Sequence, residues 1–307
     1  MIDKGTHSYL DDKRNENILI FINGVLYERQ KASISVFDSG FLLGDGVWEG
    51  IRLLNGKMVF LDEHLDRLYS GAEKLAIDIG KSRDELMSLI QKTLDANGME
   101  SGVHIRLIVS RGLKKTPYQH PNANTGGSSI VIIPEYKDPD EKVNENGIRL
   151  VTVTTRRGTP QIQDPRINSL SKLNCIAACI EADQVDADEG IMLDIHGNVS
   201  TCNSTNFFIV KNGEVWTSTG EFCLSGITRK AIIDICQSRD IPVFQKDFRI
   251  MDVHSCNEAF VTGTFAGIIP AVEIENQAIS GGVRGEFTHM LQDLYGEKLV
   301  QLYPGKN

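Results

Sequence analysis

Three short segments of the sequence carry residue types suited to chemistry, and the first suits an anion. Gly226-Ile227-Thr228-Arg229 opens an amphipathic helix with apolar residues recurring on one face. A glycine followed by backbone N–H groups at a helix start binds anions such as phosphate. The same pattern is also an ordinary helix cap. The segment alone therefore indicates either a cap or a phosphate site.

The second segment is rich in glycine around a tryptophan. Gly44, Gly46 and Gly50 surround Trp48 in the stretch 44–52. Because glycine has no Cβ, this density lets the backbone pack closely against something flat or bulky. A tight β-turn packed on the core explains the pattern equally well.

The third feature is an isolated lysine. Lys172 is the only lysine between Lys142 and Lys211, and it follows the segment 164–168, where a strand or loop gives way to a predicted helix. A lysine that points into a cleft at such a junction, away from water, is a competent Schiff-base nucleophile. A solvated lysine at a helix start is the alternative interpretation.

The elements that position these segments follow from periodicity and turn signals. Asn-Gly pairs between β-rich flanks predict three hairpins, at residues 21–27, 54–60 and 210–215. Apolar spacing predicts helices over 62–77, 171–184 and 228–239. A further helix is predicted to begin after the capping box Ser82-Arg83-Asp84-Glu85. Further strands are predicted over 105–110, 129–133, 148–154, 191–194 and 207–210. Strands joined as hairpins favour α+β domains over a doubly wound parallel sheet.

A polar stretch at residues 136–147 is the best candidate for an interdomain linker. We therefore predict a smaller N-terminal α/β domain over residues 1–135 and a larger C-terminal domain over residues 148–307.

Composition excludes several classes of protein. The 307 residues are 41% hydrophobic and 24% charged, which is ordinary for a globular chain. A formal net charge of −9 disfavours nucleic-acid binding. No apolar run approaches the ~20 residues of a membrane-spanning helix, and residues 1–17 contain no apolar signal region. We therefore expect a cytoplasmic protein without nucleic-acid or membrane partners.

Metal and nucleotide motifs are missing from the sequence. The six cysteines include no Cys-x-x-Cys pair, and Cys175 and Cys179 have no histidine at metal spacing, so we predict reduced thiols and no metal. The Gly-x-Gly-x-x-Gly and Gly-x4-Gly-Lys-Ser/Thr patterns are absent, which argues against dinucleotide and P-loop binding.

The order and surroundings of the three segments resemble the class IV (fold type IV) pyridoxal-phosphate aminotransferases, a family that includes branched-chain and D-amino-acid aminotransferases. The resemblance runs from about Ile18 to about Ala271. Its blocks are Phe21-Ile22-Asn23-Gly24, Gly44 to Arg52, Glu63-His64-Leu65-Asp66-Arg67-Leu68, Ser110-Arg111-Gly112-Leu113, Asp188-Glu189-Gly190-Ile191, Asn206-Phe207-Phe208, Gly226 to Arg229 and Thr262-Gly263-Thr264.

This resemblance implies the two-domain α+β fold of the family (D-amino-acid aminotransferase-like), with pyridoxal 5'-phosphate between the domains and the C-terminal domain as the larger cofactor-binding one. It also implies a homodimer and a ping-pong transfer of an amino group between an amino acid or amine and a 2-oxo acid.

The resemblance assigns cofactor-binding roles by position. Arg67 corresponds to the arginine that grips the cofactor phosphate, and Ile227 and Thr228 correspond to the backbone amides that hold the same group. Thr264 corresponds to a further phosphate contact, and Asn206 begins the strand that passes along the cofactor. An arginine, a helix N-terminus and hydroxyls are together the chemistry that a phosphate dianion needs.

Substrate-pocket roles are assigned in the same way. Trp48 and Arg106 correspond to pocket positions, with Arg106 either a carboxylate clamp or a strand residue facing water. The D-amino-acid enzymes carry a Pro-Arg-Asn-His carboxylate trap. Its nearest match here is Pro117-Tyr118-Gln119-His120, so His120 is retained and the trap arginine is missing.

The sequence departs from the family pattern at the covalent lysine. Counting without gaps places the family's lysine at Asn168, whereas the lysine here is Lys172. Because four residues make about one helical turn, we expect Lys172 to reach the same face, bond the cofactor and shuttle the proton. A protein of this fold that has lost its lysine, and binds the cofactor without transaminase activity, is an alternative.

A second departure is Thr201, which stands where the family places a glutamate beside the pyridine nitrogen of the cofactor. A hydroxyl carries no formal charge, so the nitrogen is expected to be less fully protonated. We therefore expect a transaminase slower than its glutamate-bearing relatives, or one limited to substrates whose α-proton leaves easily. A lyase of the aminodeoxychorismate type, which uses the same cofactor for elimination, is a further alternative.

Overall fold

A computed structural model describes residues 5–7 and 11–305 of the chain. These residues form two compact units. The N-terminal unit comprises residues 11–138 and 167–172, and the C-terminal unit comprises residues 5–7, 139–166 and 173–305. The segment that holds Asn168 and Lys172 thus belongs to the N-terminal unit. The sequence-based boundaries, with a linker at 136–147, stay a prediction.

The N-terminal unit is an antiparallel sheet packed against helices. Its elements are β1 Leu19–Ile22, β2 Val25–Glu28, α1 Ser39–Leu43, β3 Gly46–Leu54, β4 Lys57–Met58, α2 Leu61–Lys74, α3 Arg83–Ala96, β5 Val103–Ser110 and β6 Ser129–Tyr136. The strand order is β2-β1-β6-β5-β3-β4. One apolar core joins α2 and α3 to the sheet, with Leu65 and Ile90 from the helices and the paired Ile51 and Ile105 from β3 and β5.

The C-terminal unit contains a mixed sheet. Its elements are α4 Glu141–Asn146, β7 Ile148–Thr152, α5 Pro160–Gln163, α6 Leu173–Asp183, β8 Glu189–Leu193, β9 Val199–Cys202, β10 Asn206–Lys211, β11 Glu214–Thr217, α7 Ile227–Ser238, β12 Val243–Gln245, α8 Ile250–His254, β13 Glu258–Gly263, β14 Gly267–Ile274, β15 Gln277–Ala278 and α9 Glu286–Leu302. The strand order is β12-β11-β10-β13-β14-β7-β8-β9, and β15 pairs with β14. Strand β7 runs parallel to β8 and β14, whereas β10 and β13 are antiparallel to each other.

Local sequence signals explain the hairpins and one helix start. Asn23, Asn55 and Asn212 adopt φ of 49°, 52° and 53°, and the glycine after each also has positive φ. Both central positions of a two-residue type I′ turn need this conformation, so the three predicted hairpins are confirmed. The predicted capping box is formed as well, since Ser82 and Glu85 each accept the other's backbone N–H.

Several predicted bounds differ from those of the structure. Helix α2 ends at Lys74 rather than at 77, because the backbone leaves the helix and Ala76 adopts φ of 51°. The stretch predicted as a linker contains α4, which begins after the capping residue Asp140. The helix predicted from residue 171 begins at Leu173, so Lys172 precedes it in non-helical backbone.

The predicted α+β class is confirmed by this arrangement of elements. Across residues 5–7 and 11–305, no helix has the length and apolar character needed to cross a membrane. All six cysteines lie outside disulfides. Among these described residues, no three or more His, Cys, Asp or Glu side chains are grouped so that they could hold a metal ion.

Candidate functional site

Residues 167–172 run beside the beginning of β3. The N–H of Trp48 donates to Asn168 O at 2.9 Å, and the N–H of Leu170 donates to Gly46 O at 2.9 Å. A Cβ at position 46 would lie 2.6 Å from Leu170 Cδ1, so the glycine permits this approach. The bulky neighbour that the glycine-rich stretch predicted is therefore this segment of the same chain.

The Lys172 amine lies among other candidate residues of the N-terminal unit. Its Nζ donates to Asn168 Oδ1 at 3.0 Å and lies 5.3 Å from the centre of the Trp48 ring. The Arg106 guanidinium carbon lies 3.8 Å from the centre of the Trp48 ring, and burial lowers the pKa of Arg106. Trp48, Arg106 and Lys172 are therefore close together.

The physical reason given for the position of Lys172 is wrong in one respect. Asn168 and Lys172 do not lie one turn apart on a helix, because α6 begins only at Leu173. Instead the long lysine side chain reaches back to the buried amide of Asn168. The amine is therefore held beside Asn168 by the reach of its side chain and not by helical periodicity.

Arg67 is held by a buried carboxylate. Glu49 accepts from Arg67 Nε at 2.8 Å through Oε1 and from Nη2 at 2.6 Å through Oε2, a bidentate pair. Burial acts to raise the pKa of Glu49, but the charge and hydrogen bonds of Arg67, together with His64, lower it below its ordinary value. Glu49 is therefore ionised at neutral pH and fixes the guanidinium.

His64 completes this group of side chains. Its Nδ1 lies 2.6 Å from Glu49 Oε2, and both side chains are fully buried. Burial lowers the pKa of His64, so the ring is neutral at neutral pH and Nδ1–H donates to the carboxylate. Its Nε2 has no hydrogen-bond partner within the described part of the chain.

Sequence analysis did not assign roles to Glu49 and His64, although both lie in the matching blocks. For Glu49 a signal was present: it alternates with Val47, Ile51 and Leu53, which are core residues of β3. A carboxylate at a core position of a strand needs a cationic or hydrogen-bonding partner. Arg67 and His64 are three residues apart on α2 and both reach it.

The start of α7 forms the second candidate group, in the C-terminal unit. The helix begins at Ile227 after the capping residue Gly226, and no side chain caps it. A Cβ at Gly226 would lie 2.0 Å from Asn206 Oδ1, so only glycine fits here. Asn206 is fixed because its Nδ2 donates to Leu224 O at 3.0 Å. Ile227 and Thr228 in the first turn are both buried.

Strand β13 carries a hydroxyl without a partner next to Asn206. Thr262 pairs with Asn206 in the sheet, and its buried Oγ1 has no hydrogen-bond partner among residues 5–7 and 11–305. Thr264 follows in the turn after β13 and is half-buried. An uncapped helix start and a buried hydroxyl without a partner fit a phosphate group.

Thr201 lies in β9 and is buried. Its hydroxyl donates to Thr205 O at 2.7 Å. A hydroxyl has one proton, so the lone pairs of this oxygen remain for other partners.

His120 lies on an exposed loop between β5 and β6. Its ring stacks on Tyr118, with centres 6.4 Å apart, and accepts the N–H of Asn122 at 3.1 Å. Its hydrogen-bond and ring contacts among the described residues are thus within its own loop, and none joins it to Trp48, Arg106 or Lys172.

Comparisons with known proteins agree with this arrangement. The amino-transferase class IV family matches residues 46–274. Branched-chain-amino-acid aminotransferase-like protein 1 of Arabidopsis thaliana is 39% identical over 94% of this chain and 51% of its own length. A putative branched-chain-amino-acid aminotransferase of Methanocaldococcus jannaschii is 35% identical over 90% of this chain and 94% of its own. D-alanine aminotransferases are also among the homologues.

Solved structures show the same fold. The branched-chain aminotransferase of the archaeon Thermoproteus uzoniensis, solved with norvaline, aligns with a TM-score of 0.83 at 27% identity, covering 94% of this chain and 96% of that one. A branched-chain amino acid aminotransferase solved with pyridoxamine 5'-phosphate aligns over the same shares of both chains, with a TM-score of 0.86 at 26% identity.

The chain belongs to the class IV aminotransferases. Members of this family use pyridoxal phosphate, so the family, the fold and the family's cofactor are confirmed. The chain spans about half the length of its Arabidopsis relative.

The Glu49 network yields a prediction about stability. Glu49→Gln leaves Arg67 without its carboxylate, so we expect a loss on the order of 3 kcal/mol in the free energy of unfolding at pH 7. Because the pKa of Glu49 is lowered in the folded state, its contribution is complete above about pH 4.3 and is lost as the pH falls through the lowered value. The difference between wild type and variant should therefore shrink in acid.

Urea titrations followed by circular dichroism at pH 7 and below pH 4 measure this difference. Glu63→Gln, at an exposed neighbouring position on α2, is the matched control and should change stability by less than about 0.5 kcal/mol. Equal stability of Glu49→Gln and wild type at pH 7 would contradict the structural role given to Glu49.

Proposed function

We propose that this protein is a pyridoxal-phosphate-dependent aminotransferase that moves an amino group between an amino acid or amine and a 2-oxo acid in a ping-pong cycle. The Lys172 amine is the observation that carries the proposal. It is held 3.0 Å from the side chain of Asn168, where counting without gaps places the family's lysine. Membership of the class IV family supports the same function.

We propose that the cofactor is held by Arg67, Asn206, Ile227, Thr228 and Thr264, with Thr201 near its ring. The guanidinium fixed by Glu49 and the uncapped start of α7 suit the phosphate dianion. When bound, the cofactor supplies an aldehyde carbon for the amine and a ring that withdraws electrons from the substrate. With the cofactor bound, Lys172 would be the amine that holds its aldehyde carbon and the group that carries the proton of the donor's α-carbon.

Trp48, Arg106 and His120 are the proposed substrate-binding residues. Arg106 stacks on the Trp48 ring near the Lys172 amine, which suits a guanidinium that binds a substrate carboxylate. His120 is included on its match to the carboxylate trap, although its contacts are within its own loop. Branched-chain and D-alanine aminotransferases among the relatives make amino acids the first donors to test.

A homodimer is part of the proposal. Large apolar side chains around α1 are exposed, and Val36 and Phe41 have exposed fractions of 64% and 67%. Such a patch suits an interface. The unpaired cysteines support a reducing, cytoplasmic location.

A panel of amino donors with pyruvate or 2-oxoglutarate tests the activity. A transaminase converts the acceptor to its amino acid and needs both substrates. Release of pyruvate from one substrate without an acceptor would instead indicate a lyase. Turnover of no donor, with the cofactor bound, would indicate a cofactor-binding protein without transaminase activity.

The covalent role of Lys172 leads to a direct prediction. Borohydride reduction of the holoprotein should leave a pyridoxyl mass on Lys172, identified by peptide mapping. Lys172→Ala should abolish the label, and Asn168→Lys in that background should restore a label at 168. The single replacement Lys211→Ala, at a lysine of the C-terminal unit, is the control and should keep the label. A label on another lysine of the wild-type chain contradicts the assignment.

Arg67 is predicted to bind the cofactor phosphate. Arg67→Ala should weaken cofactor affinity by about 1.5–3 kcal/mol, the scale of a charge-assisted hydrogen bond. Equilibrium dialysis measures the affinity. Arg83→Ala is the control, because Arg83 pairs with Asp62 and Asp66 on the exposed side of α2 and should leave affinity unchanged. Unaltered affinity in Arg67→Ala would count against the phosphate role.

Thr201 is predicted to face the pyridine nitrogen of the cofactor. Thr201→Glu places a carboxylate there and should raise the pKa of the nitrogen by about 1–3 units and speed the half-reaction. Thr201→Val removes the acceptor oxygen and should lower that pKa. Absorbance titration of the bound cofactor follows both variants. If neither variant changes the titration or the rate, Thr201 does not face the nitrogen.

A further inference from the structure

The backbone at Asn168 is fixed on two sides. Its carbonyl accepts the N–H of Trp48, and the next residues continue the pairing through an isolated antiparallel bridge between Val47 and Ser169. The Trp48 indole N–H donates to Ser169 O at 3.1 Å. The backbone of Asn168 and Ser169 is therefore attached to β3 through both the backbone and the indole ring of Trp48.

The side-chain amide of Asn168 has a defined orientation. Its Nδ2 donates to Trp48 O at 2.8 Å, and a carbonyl oxygen can only accept. The NH₂ group must therefore point to β3, which leaves Oδ1 directed to Lys172 Nζ at 3.0 Å. Since Asn168 is 5% exposed, its orientation is held by burial as well as by hydrogen bonds.

The chemistry of this contact distinguishes an amide from a carboxylate. A lysine must lose its proton before its nitrogen attacks a carbonyl carbon. A carboxylate at this distance would favour the ammonium form and raise the pKa of the lysine, whereas an amide oxygen accepts an N–H without a formal charge. The Arg106 guanidinium, a cation, lies on the same indole ring, and a nearby positive charge favours the neutral amine.

We propose that Asn168 is a positioning residue: its buried amide, anchored on the Trp48 carbonyl, directs the Lys172 amine and leaves it able to lose its proton. This inference rests on the proposed function, in which Lys172 bonds the cofactor's aldehyde carbon. It gives the residue at the family's lysine position a role of its own, as the acceptor that holds the lysine four residues later.

Asn168→Asp tests this inference, because it keeps the shape and adds one negative charge. Competitive acetylation across pH reports the midpoint of each lysine in the full chain without added cofactor, and Lys172 is the only lysine from 143 to 210. We expect the Lys172 midpoint to rise by about 1–3 pH units. When Asn168→Asp is loaded with pyridoxal phosphate, borohydride should label Lys172 only at a correspondingly higher pH than in the wild-type protein.

Asn174→Asp is the matched control. It is the same substitution two residues after Lys172, where the amide donates to Arg156 O and not to the lysine. Its shift of the Lys172 midpoint should stay below about half a unit, because exposed charges are screened by water and salt.

Asn168→Ala gives a second measurement that does not depend on charge. Removing the acceptor oxygen should weaken the reversible attachment of pyridoxal phosphate to Lys172. The equilibrium constant for that attachment, measured from the amount of label that borohydride traps, should fall about three- to tenfold, the size of one hydrogen bond. Circular dichroism confirms that each variant is folded. An unchanged midpoint in a folded Asn168→Asp, or an unchanged label in Asn168→Ala, overturns the positioning role while the proposed function stands. A wild-type protein without label on Lys172 overturns both.

Discussion

The antiparallel pairing of β3 with β5 fixes which side chains of β3 enter the core and which lie on the opposite face. Trp48 pairs with Ile108 and Glu49 with Leu107, so the two neighbours point to opposite faces of the sheet. Glu49 binds Arg67 on the core side, and Trp48 contacts the Lys172 amine on the other. A slip of one residue would exchange the two faces. One register therefore places both the guanidinium and the amine.

The buried charge of Glu49 needs specific partners around it. A carboxylate removed from water is tolerated only with close cationic and hydrogen-bonding partners, and both partners lie on α2. The docking of α2 on β3 is therefore tied to the ion pair as well as to the apolar core. The same pair limits the motion of the Arg67 side chain. An arginine held in this way binds a dianion with less loss of conformational entropy than a mobile one.

Sequence analysis succeeded where a signal is local. The Asn-Gly turns and the Ser82 capping box act within four residues, and they formed as predicted. The alternation of Glu49 with core residues is a local signal, but it does not identify His64 and Arg67, which are 15 and 18 residues away on another element. The spacing from Asn168 to Lys172 was noticed, but a helical turn was the wrong reason, since helix formation starts only at Leu173. A four-residue spacing does not distinguish helical periodicity from the reach of a long side chain.

Two positions at which the family resemblance implies a charged residue carry neutral side chains here, and each donates a hydrogen bond to a backbone carbonyl. Asn168 donates to Trp48 O, and Thr201 donates to Thr205 O. Each also carries an acceptor oxygen. An acceptor binds a nitrogen that carries a hydrogen, but without formal charge it stabilises the cationic form only by the energy of a hydrogen bond. At Asn168 this oxygen accepts from the Lys172 amine, and at Thr201 it is the atom that we propose lies beside the ring nitrogen of the cofactor.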